Sequence, residues 1–168
     1  MKPEIHKTSY ISNKAAIIGN VKIAKNCGVF PFAVIRGDQN LIEIDDGSNV
    51  QDCCVIHCDE KHTVRIGKNV SIGHCAMVHG AHIEDNCLIG IHATVLNGAI
   101  IKKGSIIAAN ALVKENMVVP ENSLVVGLPG KVIKQDEKFR KKALKNAQIY
   151  QRLSKTHLEN KHEIYKEK

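Results

Sequence analysis

Aromatic side chains are scarce in this sequence. Its 168 residues include three Phe, three Tyr and no Trp. A core built with so few rings must rely on β-branched and small side chains. No apolar run approaches the ~20 residues that span a bilayer. The opening segment MKPEIHKTSYISNK lacks the apolar stretch of a secretory signal. These absences predict a soluble, cytoplasmic protein with no membrane partner. No two of the six cysteines stand in a C-x-x-C pair, which removes the usual zinc-ribbon and dithiol spacings. They are expected to be small buried thiols in a reducing compartment. The net charge of +7 owes much to a Lys-rich segment after Gly130. Nucleic-acid binding would call for aromatics interleaved with those lysines, so no nucleic-acid partner is expected. A mildly basic surface suits a small anion.

What the chain does have is a repeat. Ile or Val recurs every six residues through Ile11, Ile17, Ile23, Val29 and Ile35. The register slips by three to Ile44 and runs on through Val50 and Ile56. It slips by four to Ile66, continues to Ile72 and Val78, and shortens by one to Ile83. From there it holds through Ile89, Val95, Ile101, Ile107, Val113, Val119 and Val125. A second column four residues after most anchors holds small side chains, among them Cys27, Ala33, Cys54, Ala76, Cys87, Ala93 and Ala111. Gly and Asn, which tolerate positive φ, fill the positions between. A period of six matches neither a helix nor an alternating strand. It matches a coil with three flat sides, the hexapeptide parallel β-helix. The all-β repeat occupies residues 1–130 and closes at Leu128-Pro129-Gly130. Residues 131–168 form a second region, a C-terminal α-helix packed on the β-helix. Its apolar positions are Phe139, Ala143, Ala147, Tyr150 and Leu153, with Asp136 and Glu137 at its positive end and fraying beyond about Asn160.

Register converts the repeat into a site. With the slips removed, sides recur every eighteen residues. Arg36, His57 and His79 each follow an anchor by one residue and are predicted to form a ladder on one outer face. Asp52 and His74 follow their anchors by two and stack on a different side. His57 and His79 are then neighbours, whereas His74 meets them most easily from a second copy of the chain. Three-fold related prisms would supply that contact, giving a homotrimer with a metal at each subunit boundary. Three imidazoles leave an open position on zinc, and the same donors accept Fe2+ or Co2+. His6, His62, His82, His92, His157 and His162 fall outside this register set.

The combination of Arg36-Gly37-Asp38, then Asn49-Val50-Gln51-Asp52, then His57, His74 and His79 on a hexapeptide coil resembles the gamma class of carbonic anhydrases. It is most similar to the shorter branch of carbonic anhydrase-like, ferripyochelin-binding-protein-like members. The likeness covers about Ile5 to Tyr150. It implies left-handed winding and reversible hydration of CO2 to bicarbonate by a metal-bound hydroxide at subunit interfaces. By the same resemblance His57, His74 and His79 hold the metal, zinc first, and Gln51 orients the hydroxide. Arg36 pairs across the boundary, with Asp38 and Asp52 as acidic partners. Asn49 completes its motif, Asn97 lies close enough to line the pocket, and Tyr150 reaches it from the helix.

Two departures from the longer branch stand out. Gln39 replaces a Glu after the RGD triplet. Asp59-Glu60-Lys61-His62 occupies the place of the acidic loop that carries a proton shuttle, leaving Glu60 or His62 for that role. Two other functions share the repeat. A hexapeptide acyltransferase or coenzyme A thioester enzyme would use a segment such as Gly127-Leu128-Pro129-Gly130. A non-catalytic metal- or metallophore-binding scaffold would need the coil alone.

Overall fold

The computed structural model of the chain describes residues 1–162; the expected fraying beyond Asn160 falls largely on residues 163–168, outside the described residues. Short parallel strands wind as a β-helix of about seven coils. Each coil contributes one strand to each of three faces. The first face carries Val55–His57, Met77–His79, Thr94–Val95 and Leu112–Val113. The second carries Val64–Ile66, His82–Ile83, Ile100–Ile101 and Val118–Val119. The third carries Tyr10–Ile11, Gly28–Val29, Asn49–Val50, Ser71–Ile72, Leu88–Ile89, Ile106–Ile107 and Ser123–Val126. The β-branched anchors point inward and are shielded from water, Ile35, Ile56, Ile72, Ile89 and Ile107 all at 0% exposure. They stack in register, Ile35 on Ile56, Ile56 on Val78, and Val78 on Val95.

The small column sits at the corners and is satisfied there. Ser48 Oγ donates to the carbonyl of Gly67 at 2.6 Å, and Ser105 Oγ to that of Pro120 at 2.8 Å. Cys27, Cys54 and Cys87 are buried and give their thiol hydrogens to backbone carbonyls. Cys53 and Cys75 depart from the expectation of buried thiols. Both occupy outer turn positions and are exposed. The three-residue slip between Ile35 and Ile44 is absorbed without a loop. A continuous strand, Val34–Ile44, turns from the first face onto the second and pairs with Ala16–Ile23 across an irregularity between Gly19 and Val21.

After Gly130 the chain reverses. Lys131–Gln135 pairs antiparallel with Ser123–Val126 and covers the last edge of the third face. The helix α1, Lys138–Leu158, then runs back along that face, touching strands from Tyr10–Ile11 to Ile106–Ile107. Asp136 Oδ1 accepts the amide of Lys138 at 3.0 Å and starts the helix. Ala143, Ala147 and Ser154 make the buried stripe. Leu153, expected in that stripe, is exposed, because Ser154 lies directly over Gly28, where a Cβ would collide with the serine hydroxyl. Three of the few aromatics gather at this seam: Phe30 meets Tyr10 at 5.6 Å and Tyr150 at 5.4 Å edge to face, and His157 stacks on Tyr10. No described helix is long and apolar enough to cross a membrane.

The anchors carry the stability. Ile89→Ala removes a fully buried side chain between Ile72 and Ile107, and its expected cost is about 2–5 kcal/mol. Chemical denaturation of the variant checks this, with a midpoint clearly below that of the parent chain as the expected result.

Candidate metal centre

Arg36, His57 and His79 stand on consecutive coils of the first face, with Arg36 opposite His57 and His57 opposite His79. His57 Nδ1 and His79 Nε2 face each other at 3.0 Å. The outer nitrogen of each ring is also engaged. His57 Nε2 meets Asp38 Oδ1 at 3.0 Å, and His79 Nδ1 meets Asn97 Oδ1 at 2.5 Å. Asn97 is oriented by donating its amide to Asp59 Oδ2 at 2.8 Å.

These partners fix the tautomers. A carboxylate accepts only, so Asp38 calls for a hydrogen on His57 Nε2. The Asn97 oxygen likewise calls for one on His79 Nδ1. In the two neutral rings the facing nitrogens are then both lone pairs. Only a shared proton or a cation satisfies such a pair. Two nitrogens on one tetrahedral zinc, with Zn–N of 2.0–2.1 Å, lie ~3.3 Å apart, close to the separation found. The donor set therefore fits a divalent metal, with carboxylate and amide groups behind it that hold each ring.

His74 sits in the turn leading from the third face into the first. Its Nδ1 hydrogen-bonds Asp52 Oδ2 at 2.8 Å, and its Nε2 lone pair meets the hydroxyl of Tyr150, on α1, at 3.1 Å. No group of three metal-binding side chains forms within a single copy among the described residues. The structure thus brings His57 and His79 together and places His74 apart from them. Gln51 and Asp52 accompany His74. Gln51 is buried, accepting the amide of His74 at 3.2 Å and donating to Asn49 Oδ1 at 3.0 Å, while Asn49 donates to Ser71. Each half of the set is thereby organised by its own hydrogen bonds.

Arg36 donates to Asp38 Oδ2 at 2.5 Å, within the chain. That bond is the main reason the Asp38 carboxyl titrates below its usual range, with the contact to His57 helping. Partial burial pushes the Asp59 carboxyl up, but hydrogen bonds from His62 and from the amides of Lys61 and His62 outweigh it and leave the group low. Burial raises the Tyr150 hydroxyl, and the charge of Asp52 adds to it. Asp59 escapes a spacing argument, because it lies in the slip between Ile56 and Ile66. Its proximity to Asn97 arises only once that slip folds over, held by Asn40 Nδ2 on the carbonyls of Asp59 and Glu60. His62 joins Asp59 there at 2.9 Å. A carboxamide does not conduct protons, so the path from Asp59 through Asn97 positions His79 and does not relay.

Fold and repeat define a hexapeptide-repeat protein, and residues 80–115 match the family described as bacterial transferase hexapeptide (six repeats). A crystal structure of a hexapeptide transferase family protein from Anaplasma phagocytophilum superposes with a TM-score of 0.86 at 33% identity, covering 90% of each chain. A protein of Methanocaldococcus jannaschii named probable carbonic anhydrase is 48% identical over 90% of this chain and 96% of its own length. The mitochondrial gamma carbonic anhydrase 1 of Arabidopsis thaliana is 35% identical over 60% of this chain and 39% of its own length. The chain belongs to the gamma carbonic anhydrase family.

The Arg36–Asp38 bond yields a pH prediction. With its folded pKa lowered from 3.8, Asp38 contributes stability that is complete above the unfolded pKa and is lost as pH falls through the lower folded value. Arg36→Ala should raise the Asp38 titration toward its ordinary value, read by carboxyl-carbon NMR. An unchanged titration would remove Arg36 as the cause.

Proposed function

We propose that the chain catalyses the reversible hydration of CO2 to bicarbonate at metal sites shared between the subunits of a homotrimer. The observation that carries this reading is the 3.0 Å approach of His57 Nδ1 to His79 Nε2, with the third imidazole, His74, on another edge of the same prism. His57 and His79 of one subunit and His74 of the partner subunit would hold the ion. Zinc suits three imidazoles, and Fe2+ and Co2+ are accepted by the same donors. When bound, such an ion lowers the pKa of a coordinated water from 15.7 to ~7, which supplies a nucleophile at neutral pH.

The remaining roles belong to the chain's own residues. Asp38 and Asp52 each hold one imidazole hydrogen on the nitrogen facing away from the ion, and Asn97 does so for His79. All three ligand nitrogens thereby stay as lone pairs. Gln51 keeps one amide hydrogen and one oxygen lone pair uncommitted beside His74, and with them it orients the attacking oxygen toward carbon. Arg36 retains guanidinium donors beyond the one given to Asp38, and these attract the anionic product. Tyr150, which hydrogen-bonds His74 Nε2 in the single chain, yields that lone pair and turns its hydroxyl toward substrate. His62, partly exposed in the same slip as Asp59, takes the released proton through solvent and not through the Asp59–Asn97 path.

An apolar ladder supports the subunit contact. Val34, Val55, Met77, Thr94 and Leu112 stand in register on the outside of the first face, beside His57 and His79. Met77 is 41% exposed, although a row of this composition is usually covered.

Subunit sharing makes a quantitative prediction. His57→Ala and His74→Ala should each fail to hold zinc at full strength. Unfolding and refolding the two variants together makes three trimers in four mixed, and each mixed ring has one boundary with all three imidazoles. About one site in four should therefore recover, in zinc content and in CO2 hydration by stopped flow. Verified mixing without recovery would put all ligands on one chain. Acyl transfer from a coenzyme A thioester by the zinc-free protein, without CO2 turnover by the loaded one, would favour the transferase reading.

Asn97→Ala tests the positioning of His79. The variant leaves His79 Nδ1 without its partner and should weaken zinc binding about 10–100-fold. Nitrogen NMR of the metal-free protein should show His79 losing its single tautomer. Unchanged affinity and tautomer would make Asn97 a packing residue.

A further inference from the structure

Cys53 and Cys75 occupy the same outer corner on consecutive coils. The strands on either side of them pair with one constant offset, Asn49 to Ser71 and Val50 to Ile72 before the corner, and Val55 to Met77 after it. That offset sets Cys53 opposite Cys75. The amide of Cys75 donates to the carbonyl of Asp52 at 2.9 Å, which locks the two turns together. Both cysteines have φ of 59° and both are exposed.

That conformation is uncommon for any side chain except Gly, Asn, Asp or His. Across the three corners such positions are filled mainly by asparagine (Asn26, Asn69, Asn86, Asn110, Asn116 and Asn122), with Phe32 and His92 flanking the two cysteines on their own edge. Cysteine offers the turn none of the local hydrogen bonds that asparagine supplies. Two cysteines at adjacent corners are therefore not accounted for by the backbone. The other four thiols differ in kind. Cys27, Cys54, Cys58 and Cys87 are buried and donate to carbonyls, and burial pushes Cys27 up to about 11 and Cys54 and Cys87 up to about 12.

We infer that Cys53 and Cys75 are a reversible thiol–disulfide pair, a modification site that staples two consecutive coils at the edge carrying His74. Coils stack at ~4.8 Å, inside the Cα separation of about 4.4–6.8 Å that a disulfide spans. The oxidant is a low-molecular-weight disulfide such as oxidised glutathione. One cysteine thiolate attacks it, forms a mixed disulfide and expels one glutathione thiolate. The second cysteine thiolate attacks the protein sulfur of that mixed disulfide and expels the other. The protein pair loses two electrons and two protons, and one glutathione disulfide becomes two glutathiones. The inference stands on the corner geometry and does not require the proposed metal chemistry.

The test uses the intact, assembled protein. It is incubated with oxidised glutathione, alkylated, digested without reductant and mapped by mass spectrometry. The expected product is a cross-linked peptide pair joining the Cys53 and Cys75 segments, abolished by reductant. Cys53→Asn and Cys75→Asn place at each corner the residue found at Asn110 on the same edge and at most other positive-φ turns of the coil, so both are expected to fold. Each should lose the cross-link and retain glutathione on the remaining cysteine, which also separates Cys53 from the adjacent Cys54. Persistent single adducts on the parent chain, no reaction at either thiol, or a cross-link surviving in Cys53→Asn would each overturn the assignment.

Discussion

Everything that carries chemistry in this chain depends on one constraint: parallel coils must stack in register, one strand spacing apart. The constraint arises from the core. Ile35, Ile56, Val78 and Val95 lie above one another with no exposure, and a slip by one residue would turn each of them out to solvent. Because the inner column is fixed, the outer neighbour of each anchor is fixed as well. Arg36, His57 and His79 form a ladder because Ile35, Ile56 and Val78 do. The site is thus a by-product of hydrophobic stacking, refined by polar groups that arrive at the same height.

Those polar groups account for the difference between a row of histidines and a site. Asp38, Asn97 and Asp52 each accept from one imidazole, and this determines which nitrogen is left bare. On the first face the bare nitrogens point at each other. At the neighbouring corner the bare nitrogen of His74 points at Tyr150. One prism therefore carries two unlike histidine groups on separate edges, and the proposed trimer is the arrangement in which they would meet.

Much of this was legible in the sequence. A six-residue period that resumes after each slip matches a three-sided coil, and counting residues between anchors was enough to put His57 beside His79 and Asp52 beside His74. What counting could not supply lay where the period breaks. The three-residue slip became a continuous strand, Val34–Ile44, because Asn40 ties it to the following slip by bonding the carbonyls of Asp59 and Glu60. Folding of that second slip brought Asp59 to Asn97, a contact between residues with no common register. The helix face was misjudged at Leu153 because its seat depends on Gly28 beneath Ser154, which helical spacing does not reveal. The exposure of Cys53 and Cys75 was hidden for a related reason. Their corner holds Phe32, His92 and Asn110 on other coils, and a thiol there has no periodic signature.

The central claim, that one metal is held by two chains, is tested most directly by the anomalous scattering of zinc in crystals of the loaded protein. The account predicts one peak per subunit, bonded to His57 and His79 of one chain and His74 of the next around a three-fold axis. A peak ligated by a single chain, or crystals of a monomer with zinc bound elsewhere, would contradict it.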